Sequence, residues 1–181
     1  MRISRVLVPS HYEPFGELTV QGETSHYLKN VLRLKKGYRL VVFDGQGAEC
    51  EAIIEGFGRD VTHLRLGSPK ALDRETPLKV SLGLGISRGE RMDFAIQKAV
   101  ELGVQRISPL LTEFCVVRLD DEKKELRRAH WLRVIQSALE QCGRNQTPRI
   151  DPPILFDDWL ESPKDPGPVL ILTPNATQGL R

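Results

Sequence analysis

No run of roughly 18 apolar residues occurs in this chain, so it offers no membrane-spanning helix. Its opening residues, MRISRVLVPS, scatter charges through a short strand-like pattern without an apolar core, which does not read as a secretory leader. Cysteine is scarce. Cys50, Cys115 and Cys142 are odd in number, far apart and outside any C-x-x-C pair, which argues against a disulfide framework and for thiols in a reducing cytoplasm. The 4 histidines are dispersed, so no zinc or other metal site is expected. A dominant charge is also lacking. The formal net charge is +2, with acids and bases balanced in both halves, so a nucleic-acid contact would have to come from local patches. No G-x-x-x-x-G-K-[ST] run is present, which excludes a P-loop.

What is present divides near residue 74. Residues 1–72 read as short strands separated by Gly-rich turns: Arg2–Val8, Tyr38–Asp44, Glu49–Phe57 and Val61–Leu66. Strands of this length and spacing predict a small antiparallel barrel. One helix is predicted among them, Glu23–Leu34, with Leu28, Val31 and Leu32 turned inward. Lys29, Arg33 and Lys36 lie at i, i+4 and i+7 on its other side. Lys29, Arg33, Lys35, Lys36 and Arg39 follow one another without an intervening acid, with Tyr27 ahead of them and Tyr38 just before the last. Such a run reads either as a solvated helix face or as a phosphate-tracking patch with stacking aromatics, as in single-stranded RNA binders. Gly67-Ser68-Pro69 and Asp73-Arg74-Glu75-Thr76-Pro77 read as the linker.

The remainder is organised around Gly83–Gly103. A strand over residues 78–86 runs into a helix over residues 90–102, and a second strand, Arg106–Leu111, follows, making a βαβ unit with a parallel sheet. Ser87 and Glu90 match an S-x-x-E capping box, and Phe94, Ile96, Ala99, Val100 and Leu102 form the predicted apolar face. A long helix from Asp121 to Cys142 carries Trp131, Val134, Ile135, Ala138, Leu139 and Cys142 at helical spacing, starts on the acids Asp120-Asp121-Glu122 and stops at Gly143. A short helix over Phe156–Leu160 and a last strand, Val169–Thr173, complete the predicted elements.

Several features hint at chemistry. Gly83-x-Gly85-x-x-x-Gly89 after a strand resembles a dinucleotide turn, but its third glycine is one place late and no ribose-binding acid follows at the right distance. Cys142 continues the apolar stripe and reads as a buried thiol. His130 reads as helix surface or core edge. Arg144 and Asn145 lie in a loop past a helix end beside the sheet edge, where α/β folds place ligands. An arginine there either holds an anion bidentately or satisfies the C-terminal end of the helix.

Taken in order, several segments resemble one family. They are Met1-Arg2-Ile3 with Arg5; His26-Tyr27-Leu28-Lys29 leading to Val31-Leu32-Arg33-Leu34; Phe43-Asp44-Gly45; and Ile86–Gly103. Thr112-Glu113 with Cys115 and then Glu140-Gln141-Cys142-Gly143-Arg144-Asn145 with Pro148 follow. Together they resemble the bacterial 16S rRNA uracil-N3 methyltransferases of the SPOUT (trefoil-knot) superfamily. The I-S-R-G-E-R-M-D-F-A-I-Q-K and E-Q-C-G-R-N stretches are its most specific parts.

The resemblance implies an α/β protein: a PUA-like RNA-binding β-barrel over residues 1–73 and a SPOUT methyltransferase domain over 74–181, acting as a cytoplasmic homodimer. It implies S-adenosylmethionine as methyl donor and a uridine of 16S rRNA in the small ribosomal subunit as acceptor. Leu172, Thr173 and Pro174 correspond to the family's first cofactor loop. The family's later G-P-E-G-G loop and the Leu/Arg/Thr/Glu-rich segment of the knot have no counterpart here, so these 181 residues are expected to bind the cofactor poorly and not to turn over.

Methyl transfer from a sulfonium depends chiefly on alignment, which is worth roughly 7–11 kcal/mol. The uridine N3 proton must leave, and charge spreads to the ring oxygens. Arg144 and Asn145 are assigned to stabilise that charge or hold the displaced base. Arg5, Lys29, Arg33 and Lys36 are assigned to RNA, and Arg88 to a phosphate near a helix N-terminus. Two other classes compete: an RNA-binding and dimerisation module without activity, and a nicotinamide-dependent oxidoreductase.

Overall fold

The computed structural model describes residues 3–8, 12–72, 74–113, 115, 120–163 and 166–172. The N-terminal part is a five-stranded sheet: β1 Ser4–Leu7, β2 Glu17–Gln21, β3 Arg39–Phe43, β4 Ala48–Phe57 and β5 Val61–Ala71, in the order β1-β3-β4-β5-β2. Alternation along the strands turns Val20, Leu40, Val42, Cys50, Ala52, Ile54, Leu64 and Leu66 to one side, where they form a single buried cluster with Val6 and Leu28. Both edge strands, β1 through Val6 and β2 through Val20, feed this one cluster, so the sheet curls around it like a barrel. Three expectations are corrected. β2 was not predicted; β1 pairs with β3 in parallel, with Ser4 opposite Leu40, so the sheet is mixed. Gly67-Ser68-Pro69 is no linker but part of β5, where Pro69 faces Cys50 beside a register shift of β4, the kind of irregularity that tolerates a missing N–H donor.

The predicted helix Glu23–Leu34 is replaced by a short α1, Gly22–His26, running into a π-helical turn, Tyr27–Val31. The amide of Leu32 donates to Tyr27 O at 2.9 Å, five residues back. Widening the turn keeps Leu28 fully buried but swings Val31 out to 59% exposure, and Arg33, at φ 53°, ends the segment.

The second unit is a parallel sheet in which β6 Ser81–Gly85 and β8 Arg149–Ile150 flank β7 Arg106–Leu111, and β9 Ile154–Leu155 also pairs with β7. Helices α2 Glu90–Glu101 and α3 Asp121–Cys142 pack together on it, and the short α4, Phe156–Glu161, follows β9. Its core joins Met92, Ile96, Val100, Ile107, Trp131, Ile135, Leu139 and Ile150. Phe43, from β3 of the first unit, is part of this same cluster and is fully buried.

Helix α3 has the predicted bounds. Asp120 caps it by accepting the Lys123 amide at 2.9 Å, and Gly143 closes it in the left-handed conformation. Helix α2 departs in two ways. Its N-cap is Gly89, at φ 50°, without a side-chain cap, so Ser87 lies outside the first turn and the capping box does not form. Met92, not Phe94, completes its buried face; Phe94 and Leu102 are exposed. Cys142, expected buried, is exposed at the last position of α3. Residues 169–172 do not form the predicted strand, and their side chains are exposed. Among the described residues no helix is long and apolar enough to cross a membrane, and no cluster of His, Cys, Asp and Glu suits a metal ion.

Candidate functional site

The loop after α3 is where the site residues converge. Gly143 turns the chain so that Arg144 and Asn145 enter the protein, where they are 6% and 1% exposed. Arg144 Nε and Nη2 donate to the Glu75 carboxylate, the latter at 2.5 Å, and Nη1 donates to Val100 O and Val104 O at 2.7 and 3.1 Å. Asn145 Nδ2 donates to Gly47 O and Leu72 O, both at 3.0 Å. A buried guanidinium is stable only when paired in this way. Assigned from the sequence to stabilise charge or hold the displaced base, these two residues have their side-chain N–H donors turned to Glu75, Val100, Val104, Gly47 and Leu72 inside the protein.

Arg5, assigned to RNA, also makes contacts inside the protein. Its guanidinium lies over the Phe43 ring at 4.9 Å, pairs with buried Glu49 at 2.9 Å and donates to Arg144 O at 3.3 Å. Glu49 also receives Arg74 at 3.3 Å. Alongside, Glu140 accepts from Leu7 N and from Gln136 Nε2, both at 3.2 Å. Burial pushes the Glu140 carboxyl above the ordinary carboxylate range, against the pull of those two donors. Sequence reasoning missed Glu49, Glu75 and Glu140 as partners. The signal was the E-Q-C-G-R-N stretch itself, since an acid and an arginine at the end of one apolar helix need buried counterparts.

The remaining RNA candidates keep their surface placement. Lys29, on the π-helical turn, and Arg33 and Lys36 just after it are all exposed, as is Arg88 immediately before Gly89 at the start of α2. Tyr27 and Tyr38 are only half-exposed, and Tyr38 packs against the first core. Of the cofactor candidates, Leu172 is 80% exposed, so alone it supplies no enclosed wall; Thr173 and Pro174 lie outside the described residues.

The Gly83-x-Gly85 pattern has a packing explanation. A Cβ on Gly83 would lie 2.8 Å from the Trp159 ring of α4, so the missing side chain makes room for an indole on the sheet face, not for a pyrophosphate. A groove of about 650 Å³ opens between α2 and α3, lined in part by Phe94, Gln97, Val134, Ala138 and Gln141. No described site candidate lines it.

Against this geometry the comparisons are direct. Residues 74–181 match the RNA methyltransferase domain family, and residues 20–60 match the RNA methyltransferase PUA domain. The chain belongs to the RNA methyltransferase family. The ribosomal RNA small subunit methyltransferase E of Buchnera aphidicola from Schizaphis graminum is 30% identical over 176 residues, 97% of this chain and 72% of that protein. Its Bacillus subtilis counterpart is 28% identical over 88% of this chain and 62% of its own length. The crystal structure of the Neisseria gonorrhoeae enzyme of that name, bound to S-adenosylmethionine, superposes with a TM-score of 0.85 at 33% identity, covering 90% of this chain and 67% of that one. A methyltransferase of Legionella pneumophila with bound cofactor gives 0.87 at 38% identity, covering 91% and 68%. This RNA methyltransferase family member thus spans roughly two thirds of the length of its relatives. It joins a PUA-type unit to an α/β methyltransferase domain in one arrangement.

Proposed function

We propose that this chain serves the S-adenosylmethionine-dependent methylation of small-subunit rRNA, with N3 of a uridine in 16S rRNA as the acceptor. One observation carries the reading: both units superpose together on a small-subunit rRNA methyltransferase holding that cofactor. When bound, S-adenosylmethionine supplies an electrophilic methyl group. The chain's own part is to bind and orient RNA. Lys29 stands on a π-helical turn, an irregularity often found at functional sites, and Arg33 and Lys36 extend the exposed cationic strip beside it. Arg88, exposed beside the start of α2, is the phosphate contact on the methyltransferase side. A homodimer in the cytoplasm belongs to the same reading, and light scattering would give twice the monomer mass.

The test is transfer of labelled methyl to unmethylated small subunits, with the product read by reverse transcription; RNA binding without any transfer would favour the reading as an RNA-binding module without activity. A methyl on N3 blocks base pairing and stops the polymerase at one uridine, whereas methylation elsewhere on the ring or ribose leaves read-through and would overturn the N3 assignment. Replacing Lys29, Arg33 and Lys36 together by Ala is expected to flatten the salt dependence of RNA binding by about 2 in log–log slope, at roughly 0.7 per lost single-strand phosphate contact. An unchanged slope would remove these residues from the RNA surface.

A further inference from the structure

The segment Arg144–Thr147 is bound on its two sides by different parts of the molecule. Its backbone and the Asn145 amide pair with the N-terminal sheet. Arg144 O accepts from Arg5, Asn145 O accepts from Gly47 N at 3.0 Å, Thr147 N donates to Gly45 O at 2.7 Å, and Gln146 bridges to Gln46 in antiparallel fashion. The Arg144 side chain points the other way. It grips Val100 O at the end of α2, Val104 O just beyond it, and Glu75 at the start of the second unit. Phe43 is the apolar counterpart, reaching from β3 into the second core.

We propose that Arg144 and Asn145 are positioning residues: they clamp the RNA-binding sheet to the methyltransferase domain at one fixed angle, and never touch RNA or cofactor. Domains joined by a small interface move relative to one another by default, and it is this bridging segment that opposes such motion here. The clamp itself stands on the geometry; its use in aligning RNA rests on the function proposed above.

The test labels exposed Arg59→Cys in the first unit and exposed Glu125→Cys on α3 with spin labels, in a Cys115→Ser/Cys142→Ser background where Cys50 is buried. The wild-type clamp gives one narrow distance distribution. Arg144→Ala is expected to broaden it about twofold or more while circular dichroism still shows a folded protein, as released inter-domain motion does. Arg144→Lys, which keeps the charge and a donor, restores the narrow peak. Should Arg144→Ala fail to fold, Asn145→Ala removes only the bonds to Gly47 and Leu72 and is expected to broaden the peak by itself. A narrow, unshifted distribution in a folded Arg144→Ala or Asn145→Ala protein overturns the proposal. Methylation of small subunits read in parallel separates the two claims: in a protein that methylates, the Ala variants lower kcat/KM with unchanged affinity for short single-stranded RNA. Broadened distances without any RNA binding or methylation would leave the clamp standing and remove the functional reading.

Discussion

A glycine comparison separates backbone strain from inter-unit packing. Gly37 and Gly45 both have positive φ, at 84° and 78°, but a Cβ on Gly37 would meet nothing within 4 Å, whereas one on Gly45 would collide with Thr147 Oγ1 and touch Leu7. Gly37→Ala should therefore cost only the left-handed strain of about 1–2 kcal/mol. Gly45→Ala should cost about 1–3 kcal/mol more, for overpacking across the junction. Urea unfolding of the two variants checks this, and equal losses would mean that the junction yields freely. Glu140 gives a pH-dependent counterpart. Its folded-state carboxyl titrates above its ordinary range, so the protonated form is the better fit to the fold. Its contribution is fully present at low pH and is lost as pH rises through that raised value. Glu140→Gln keeps a carbonyl to accept the Leu7 amide and cannot ionise. The stability advantage of the variant over wild type should widen from the ordinary carboxylate range upward, and parallel pH curves would rule out the buried carboxyl as the cause.

Elements with a strong local signal are legible in the sequence. Helix α3 and strand β7 appear with the predicted bounds, because an Asp cap, a closing glycine and a continuous β-rich run are local properties. The errors fall where tertiary context decides. Helical periodicity assigned Leu28, Val31 and Leu32 inward together, yet one inserted π turn re-aims Val31. Nothing in the local spacing distinguishes the two outcomes. The capping box failed for a similar reason, since Gly89 supplies a bend that the S-x-x-E pattern ignores. Leu28→Ala should cost about 2–5 kcal/mol, as for other fully buried leucines. Val31→Ala should stay within about 0.5 kcal/mol, as for exposed positions. Comparable losses at both positions would restore the continuous helix. At the candidate site, residue types and their convergence were legible, but their direction was not. Arg144 at a helix end reads equally well as an anion clamp or a structural pair, and nothing in its local sequence points to the carbonyls of Val100 and Val104 or to the distant Glu75 that it meets.

Across the whole molecule, Phe43 and the bridging loop link the two units and are expected to make them unfold together. The clearest test uses probes that each see one unit. Both tryptophans, Trp131 and Trp159, lie in the methyltransferase domain, so their emission reports that domain alone. Cys50 is buried in the first core, so with Cys115 and Cys142 replaced by Ser, its reaction with a thiol reagent reports the RNA-binding sheet. In the otherwise wild-type protein the two signals should change at the same urea concentration, because opening either unit strips Phe43 from a closed core. Phe43→Ala removes the ring that links the cores and also the surface on which Arg5 rests; losses for such buried aromatics are about 3–5 kcal/mol. The variant should separate the two transitions, since each unit then rests on its own core. Coincident transitions in Phe43→Ala would mean that the polar bridge of Arg144, Asn145 and Glu140 alone transmits unfolding between the units. Separate transitions already in the wild-type background would mean that neither link couples the unfolding of the two units.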